Sequence, residues 1–492
     1  MQDQAIDDFN DLSVWTAVTS GLAELVISSD QGPLGKVMRL DFDFKGSGGF
    51  VVARRAMTLD LVAPFAFHWR WRGLAPANQF EFKLADATGQ NVWWFHRDAL
   101  EFPADWQTLR IGHEDIEFAW GPSWGEPLQQ LGALEFAIAA GPGGRGTIWI
   151  EALQFEDGRC LPEPLALASS SLPDHGPELA LATHPGRGWL SATAPGGGHW
   201  YRLDFQVERP YGGLVIDWWP DRAPSAFEVL ASSDGQTWQR LYQALRAGAR
   251  RSYIALPGGR SRYLQLNLPG SVVGILEIDV KPYDFSRSPI TFFQALARAE
   301  GRGSHPRYFY GEQSYWTSVG VWDGVTRALI NEEGLVEPDL GSFSLEPSLF
   351  WRGEWLTWAA ATQKTQTLER NDLPIPSVTW TWADGRLTIT AGATGAGNRA
   401  TLLLRYRIEN LGLERLPGRL FVAIRPFQVT PPWQAFRGLG GISPIHTLAY
   451  RDGVVWVNGE PGGGKPVIPL DAVPFGAAAF DQGGVIEALR QG

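Results

Sequence analysis

Aromatic and polar side chains that could hold a sugar are concentrated in two short segments of the first third of the chain. NVWWFHRD carries Trp93, Trp94 and His96 ahead of an arginine and an aspartate, and FAWGPSWGE places Trp120 and Trp124 around a Gly-Pro turn. The flat CH face of a pyranose stacks on an aromatic ring, while nearby polar groups bond to its hydroxyls. Since side chains alternate along a strand, one of the first two tryptophans faces the core and the other is a candidate platform.

Carboxylates stand beside aromatic residues in the last third of the chain. Glu312 lies in GEQSYW and Asp323 lies in VWDG. A glycosidase needs two carboxylates about 5 to 10 Å apart, and the sequence supplies no distance. Both residues are therefore candidates for an alternative in which this chain is itself a weak glycosidase. Glu332 and Glu333, in NEEG, are expected to be the solvated charges of a turn.

Composition excludes several classes of function. The net charge of -11 and the pI of about 5.3 repel phosphate backbones, and no cluster of Lys and Arg interrupts this pattern, so no nucleic acid is expected as a partner. No run reaches the roughly 18 apolar residues of a membrane helix, so no membrane insertion is expected. The single cysteine, Cys160, cannot form an intrachain disulfide, and zinc-type spacing of Cys and His is absent.

The two ends of the chain leave its compartment open. The first residues, MQDQAIDDF, lack the basic and apolar regions of a signal peptide. We expect a periplasmic or extracellular protein if a signal peptide was trimmed before an added Met, and a cytoplasmic protein otherwise. The abrupt end on GGVIEALRQG suggests a chain that was cut before a further domain.

The elements that position these residues are predicted to be strands. A chain of 492 residues is too long to fold around a single core. Its 57 glycines, 34 prolines and 23 tryptophans indicate many short strands joined by turns. We predict an all-β chain with a first module at 1–157, a Pro/Ser linker at 158–178, a second module at 165–283, a linker helix within 284–305 and a third module at 306–492. The best helix runs from Pro289 to about Gly301, and it is expected to brace the second module against the third.

The segment EVLASSDGQTWQRL, Glu228 to Leu241, predicts a hairpin in the second module. Its apolar residues alternate with polar ones up to Ser-Asp-Gly, where Asp234 and Gly235 supply a tight turn. Trp238 is then expected to enter the core on the partner strand. Trp200 and Trp218 are expected to fill the same core.

The second module resembles the discoidin, or coagulation factor type C, domain. The resemblance rests on GRGWLSA, GGGHWYRLDF, GLVIDWW, FEVLASSDGQTWQRL, SRYLQLNL and GILEIDV, which occur in this order. It implies an eight-stranded jelly roll with ligand-binding loops at one end. The candidate loop residues are His184, Arg187, His199 and Arg222.

The first module resembles the galactose-binding-like jelly roll of family eleven carbohydrate-binding modules, through DDFNDLSVW, FHWRWRG, NQFEFKLADATGQNVWWF, DWQTLRIGHEDIEFAWGP and GTIWIEALQFE. The resemblance implies a structural calcium ion near the two termini of the module. Asp7, Asp8 and Glu156 are its candidate ligands, with a plain acidic turn as the alternative. No other cofactor is expected.

The third module resembles the amino-terminal supersandwich of inverting carbohydrate phosphorylases and related glycosidases. YFYGEQSYWTSVGVWDG, FSLEPSLFWRGEWLTW and RLFVAIRPFQVTPPWQAF carry this resemblance. In such enzymes an (α/α)6 barrel follows and holds the catalytic carboxylates, and no barrel follows here. The resemblance implies that Gln428, Trp433 and Gln434, on a loop stiffened by proline, face a sugar subsite.

These observations predict a chain that binds a polysaccharide or an oligosaccharide. We expect it to be the non-catalytic amino-terminal part of a glycoside hydrolase or phosphorylase-like enzyme, with a downstream catalytic domain as its partner. A self-contained extracellular adhesin or matrix-binding protein is the first alternative. The weak glycosidase that uses Glu312 or Asp323 is the second.

Overall fold

The computed structural model describes residues 2–122, 127–158, 161–194, 196–245, 250–434, 440–459, 464–471 and 473–491. Nearly all regular structure in these ranges is antiparallel strand, so the prediction of an all-β chain is confirmed. No helix within these ranges is long and apolar enough to cross a membrane.

Twelve strands of the first module form two facing sheets. The first sheet has the order β3-β4-β12-β6-β9 with β1 beside β12, and the second has the order β10-β8-β7-β11-β5-β2. Alternating aromatic residues fill the space between them, with Phe67, Trp69, Phe82 and Phe136 in contact at its centre. The strands are β1 Gln2–Asp7, β2 Trp15–Thr19, β3 Glu24–Gln31, β4 Lys36–Asp43, β5 Phe50–Asp60, β6 Ala66–Leu74, β7 Asn78–Asp86, β8 Val92–Leu100, β9 Gln107–Gly112, β10 Glu117–Trp120, β11 Gln130–Ala139 and β12 Arg145–Asp157.

Two long strands organise the second module. They pair with each other along most of their length, and register shifts after Asp204 and after Tyr211 divide the pairing into three stretches. The first stretch continues onto β16 and β17, and the last lies beside β19. The strands are β13 Leu165–Ala168, β14 Trp189–Leu190, β15 His199–Trp218, β16 Phe227–Ser232, β17 Gln239–Ala244, β18 Arg251–Leu268 and β19 Gly274–Lys281.

The predicted hairpin is present, but its tryptophan does not enter the core. Asp234 accepts hydrogen bonds from the backbone N–H groups of Gln236 and Thr237 and so closes the turn between β16 and β17. The pairing of these strands shifts register after Val229, and Trp238 lies half-buried on the solvent side of the sheet, beside Tyr263. The core prediction is therefore wrong for this residue.

The core prediction has different outcomes for Trp200 and Trp218. Trp218 is buried, and the prediction that it fills the core is confirmed. Trp200 is half-buried, because it alternates with the buried side chains of His199 and Tyr201 along β15 and so faces the other way. The core prediction is wrong for Trp200.

Helix α1, Pro289–Glu300, begins where the sequence predicts. Ser288 caps it by accepting a hydrogen bond from the N–H of Thr291, and Pro289 occupies its first turn. One hydrophobic cluster contains its residues Phe293 and Leu296 together with residues of the second and third modules, among them Tyr253 and Phe427. The helix thus packs between these two modules.

The described residues of the third module form three antiparallel sheets. Strands of all three contribute to one core that includes Leu349, Trp380 and Val457. Assignment to a phosphorylase-type supersandwich stays a prediction. The elements are β20 Trp316–Val319, β21 Ala328–Asn331, β22 Val336–Glu337, β23 Ser344–Trp351, β24 Glu354–Leu356, β25 Gln363–Glu369, β26 Leu373–Trp382, β27 Gly385–Thr394, β28 Thr401–Asn410, β29 Gly418–Arg425, β30 Leu448–Arg451, β31 Val454–Val457, β32 Lys465–Val467 and α2 Ile486–Gln491.

Candidate functional site

The sheet β10-β8-β7-β11-β5-β2 of the first module has one face in the core and one face in solvent. Trp93 belongs to the core cluster, whereas Trp94 and His96 are on the opposite side of β8. The prediction that the two adjacent tryptophans divide between core and surface is therefore confirmed. We call the solvent side of this sheet the open face.

A row of alternating charges crosses the open face. The strand register aligns five residues side by side, one on each of five neighbouring strands: Glu117, Trp94, Lys83, Glu135 and Arg54. Adjacent strands lie about 4.8 Å apart, so the row is about 19 Å long. An extended ligand could contact all five side chains at once.

Aromatic rings cluster at the β10 end of this row. Trp94 and Trp120 meet edge to face, with ring centroids 5.6 Å apart, and His96 lies 4.7 Å from Trp94. Trp120 is 47% exposed, so much of its indole is open to solvent. The imidazole of His96 is 3.3 Å from the carboxylate of Glu117. The structure therefore brings together three of the predicted sugar-binding residues, Trp94, His96 and Trp120.

The charges of the open face are paired with one another. Lys83 Nζ lies 2.5 Å from Glu81 Oε2, and Arg54 Nη1 lies 2.6 Å from Glu135 Oε1. The ammonium of Lys83 also lies 5.4 Å from the centroid of the Trp120 ring, within the range of a cation–π contact. Since each cation has a carboxylate partner, the face offers donors and acceptors in fixed positions and suits an uncharged, hydroxyl-rich ligand.

Sequence reasoning missed four of these residues, Arg54, Glu81, Lys83 and Glu135. For Glu81, Lys83 and Glu135 a signal was present in FEFKLAD and LEFAIAA, where charged residues interrupt otherwise apolar strands. One strand alone could not reveal that the charges of neighbouring strands share a row, because that depends on the register of the sheet.

The predicted residues of the second module lie in a different place. His184 and Arg187 are exposed and close together in the segment before β14, where the N–H of Arg187 donates to the carbonyl of His184. Arg222 is also exposed. His199 is buried and its ring contacts the hydroxyl of Ser169 and the carbonyl of Ser271, so it is a structural residue rather than part of a ligand face.

The predicted residues of the third module differ in exposure. Gln428 is buried, and its side-chain amide bonds to the backbone of Gly440 and Ile442, so it holds the loop in place. The indole N–H of Trp433 donates to Gln313 at 3.1 Å, and Gln434 is exposed. Trp124 of the first module lies outside the described residues.

Glu312 and Asp323 do not have the environment of a catalytic pair. Arg302 donates two hydrogen bonds of 2.9 Å to Glu312, and Arg307 donates a third of 2.8 Å. The pKa of Glu312 lies below its usual value, chiefly because of the hydrogen bonds from Arg302. A general acid needs a raised pKa instead. Asp323 is exposed and accepts a hydrogen bond from the N–H of Gly397.

The expectation that Glu332 and Glu333 are solvated charges is wrong. Glu333 is buried, with Lys364 Nζ 3.2 Å from its carboxylate, and Glu332 lies 2.6 Å from Arg307. Burial raises the pKa of Glu333 to about 7. The turn folds back onto the third module, where Gly334 approaches the side chain of Ile389, and this removes the carboxylate from water.

The candidate calcium ligands are engaged with other groups. Arg110 makes a two-pronged ion pair with Glu156 at 2.9 and 2.7 Å, and Asp7 pairs with Arg55. Asp8 accepts two hydrogen bonds from Asn10. Among the described residues, no group of three or more His, Cys, Asp and Glu side chains is placed to hold a metal ion. The arrangement does not fit the predicted calcium site, because guanidinium groups already neutralise two of the three carboxylates.

A cleft of about 1530 Å³ separates the first module from the second module and α1. Phe118 of β10 and Gln294 of α1 are on its opposite walls. Two charged residues of the second-module wall, Asp217 and Arg251, pair with each other through hydrogen bonds of 2.5 and 2.6 Å. The cleft therefore adjoins the β10 edge of the open face, and these two charges neutralise each other on its wall.

Comparison with known protein families gives a match for one module. Residues 166–278 match the F5/8 type C domain family, so the second module contains this domain. The comparison with curated proteins found no match.

Among solved structures, parts of the chain are similar to carbohydrate-binding modules. The family 11 carbohydrate-binding module from Clostridium thermocellum in complex with a beta-1,3-1,4-mixed-linked tetrasaccharide is 14% identical, with a TM-score of 0.28 over 32% of this chain and 95% of that module. Chitosan-binding module 2 in complex with chitotriose, from a chitosanase/glucanase of Paenibacillus sp. IK-5, is 15% identical, with a TM-score of 0.22 over 24% of this chain and 95% of that module.

Proposed function

We propose that the first module binds an uncharged polysaccharide chain on its open face. The observation that carries this proposal is the pair of tryptophans, Trp94 and Trp120, at one end of a row of fixed polar groups. An exposed indole stacks on the apolar face of a pyranose, and charged groups bond to its hydroxyls. The row runs across the strands, so the chain would lie roughly perpendicular to them.

Pairing of the charges favours a neutral glycan over a charged one. A charged ligand would have to break or compete with the pairs Lys83–Glu81 and Arg54–Glu135, whose distances are 2.5 and 2.6 Å. A hydroxyl can instead bond to the free lone pairs and N–H groups of an intact pair. Specificity would then come from ring stacking and from the spacing of hydroxyls.

The test is a binding measurement on the full chain with Trp94→Ala and Trp120→Ala. Affinity electrophoresis against mixed-linkage β-glucan, cellulose-derived and galactan polymers would find the preferred neutral glycan, and calorimetry with an oligosaccharide of it would give the Kd. Each variant is expected to weaken binding about tenfold, which corresponds to about 1.4 kcal/mol. Trp322→Ala is the matched control, because Trp322 is fully exposed in the third module. Unchanged retention of both variants would refute the proposal.

The wider role of the chain is a separate part of the proposal. We propose that these modules hold glycan for a carbohydrate-active enzyme, with a self-contained adhesin as the alternative. The intact mass of the polypeptide in its source cells distinguishes them: a species much heavier than 54.2 kDa supports the enzyme, and one near this mass supports the adhesin.

The weak-glycosidase alternative has less support. The three hydrogen bonds that Glu312 receives from Arg302 and Arg307 keep its carboxylate ionised. Turnover of a polysaccharide by this chain, abolished in Glu312→Gln, would nevertheless establish it.

A further inference from the structure

A second aromatic surface lies on the F5/8 type C domain, on the solvent side of its sheet. Trp200 is on β15, Trp238 directly precedes β17 and Tyr263 is on β18. Their neighbours along the strands, such as Tyr201 and Leu264, are buried in the core on the other side. We call this group, with Arg202 and Gln265 between its rings, the Trp200–Trp238 surface.

Arg202 is held in place on this surface by its neighbours. Its guanidinium carbon lies 4.9 Å from the centroid of Trp200 and 4.7 Å from that of Trp238. Its Nε and Nη2 donate hydrogen bonds of 2.9 and 2.8 Å to Oε1 of Gln265. The amide of Gln265 is fixed in turn by a 2.9 Å hydrogen bond to Asn267. The guanidinium plane therefore has one orientation before any ligand arrives.

Arg202 differs from the neighbouring arginines, which are paired with carboxylates. Arg262 makes two hydrogen bonds of 2.9 and 3.0 Å to Asp204, and Arg240 lies 2.9 Å from Glu228. Within the described part of the chain, Arg202 has no carboxylate at salt-bridge distance and its Nη1 has no hydrogen-bond partner. One cation with a free N–H edge thus remains at the centre of an aromatic surface, in a chain whose net charge is -11.

We propose that the Trp200–Trp238 surface binds an anionic glycan, a polysaccharide that carries uronate or sulfate groups. A guanidinium presents parallel N–H groups that match the two oxygens of a carboxylate or the oxygens of a sulfate. The flanking indoles and Tyr263 offer apolar area to the sugar ring that bears the acidic group. The same surface would take a neutral sugar less well, since the free N–H edge of Arg202 would then face no counter-charge.

This site differs from the open face of the first module in position and in ligand charge. The open face contains paired charges, whereas the Trp200–Trp238 surface contains an unpaired cation. The two surfaces would give one chain affinity for two components of a mixed polysaccharide. The inference does not depend on the proposed function of the first module.

The experiment uses pairs of polymers that differ only in charge. Affinity electrophoresis of the full chain is run against polygalacturonate and its methyl ester, and against dextran sulfate and dextran. Retention by polygalacturonate alone identifies a uronate ligand, and retention by dextran sulfate alone identifies a sulfated one. Equal retention by both members of each pair, or by neither, would overturn the proposal.

Variants locate the binding on the surface. Arg202→Gln is expected to weaken retention by the charged polymer at least about tenfold, since hydrogen bonds between charged groups are the strong ones. Trp238→Ala should weaken it severalfold. Arg240→Gln is the matched control, because Arg240 lies on the same sheet and is already paired with Glu228. Retention by Arg202→Gln equal to that of the wild type would also overturn the proposal.

The two proposed surfaces can be separated in one protein. The double variant Trp94→Ala/Trp120→Ala removes the aromatic end of the open face and leaves Arg202 in place. It is expected to keep full retention by the charged polymer. Loss of that retention in the double variant would place the anionic ligand on the first module and overturn the proposal.

Discussion

Trp218 and Ser252 form a hydrogen bond in the interior of the second module. The indole N–H of Trp218 donates to the hydroxyl oxygen of Ser252 at 2.9 Å, and both residues are buried. The indole N–H is the only polar group of a tryptophan side chain, and this bond gives it a partner. Trp218 can therefore fill the core without leaving a buried donor unpaired. Trp200 and Trp238 of the same module have no such place, because they face solvent.

The first prediction uses this difference. Trp218→Ala should lower the free energy of unfolding of the second module by about 3 to 5 kcal/mol, because it leaves a cavity and an unpaired hydroxyl. Trp238→Ala should change it by less than about 1 kcal/mol, because the ring lies on the surface. Urea unfolding monitored by circular dichroism measures both. A large loss of stability in Trp238→Ala would mean that the ring of Trp238 is packed in the core.

The hairpin between β16 and β17 could be predicted from the sequence only in part. Asp234 and Gly235 predict the turn correctly, because the chemistry of a turn is local. The side of the sheet on which Trp238 lies depends on the register shift after Val229, which moves every later residue relative to its partner strand. Alternation along one strand does not contain that information.

The second prediction concerns ionic strength. Binding of a neutral glycan to the open face should change less than about twofold between roughly 0.05 and 0.5 M salt, because the ligand carries no charge and the pair Glu81–Lys83 is nearly buried. Binding of an anionic glycan near Arg202 should weaken markedly over the same range, since its cation faces solvent. Calorimetric titrations at several salt concentrations measure both. A steep salt dependence for the neutral glycan would contradict the proposed role of paired charges.

The third prediction concerns pH. The side chain of Glu300 is 9% exposed, and this burial raises its pKa from 4.5 to about 7. Between these two values the folded chain keeps a proton that the unfolded chain has released, so the contribution of Glu300 to stability falls as pH rises, by up to about 1.4 kcal/mol per pH unit. Glu300→Gln has no such proton to lose.

Glu300→Gln should therefore gain stability relative to the wild type as pH rises from about 5 to 7, and the gain should be constant above that. Burial lowers the pKa of the neighbouring His305, so its contribution to stability rises with pH. The contribution of Glu333 falls with pH, as that of Glu300 does. The informative quantity is thus the difference in unfolding free energy between variant and wild type at each pH, from urea titrations. A difference independent of pH would mean that Glu300 ionises normally in the folded chain.

The burial of Glu333 marks a second limit of sequence reasoning. NEEG has the composition of an exposed turn, and its turn is indeed formed, with Gly334 at a φ of 80°. The residue is buried because Lys364, from β25, and Arg307 supply the charges that a buried carboxylate requires. Contacts between residues so far apart in the chain leave no pattern in a four-residue segment.

The fourth prediction tests the helix that joins two modules. Phe293 of α1 lies 4.9 Å from Phe427 and 4.8 Å from Phe480, measured between ring centroids, and all three rings belong to the cluster at the junction with the third module. Phe293→Ala should lower the free energy of unfolding by about 3 to 5 kcal/mol and should expose the region of α1 to limited proteolysis. Phe475→Ala is the matched control, since Phe475 is partly exposed and stacks on Tyr450 alone among the ring contacts of the described residues. If Phe293→Ala and Phe475→Ala are cleaved at equal rates and unfold at equal urea concentrations, then the contact between α1 and the third module does not hold the two modules together.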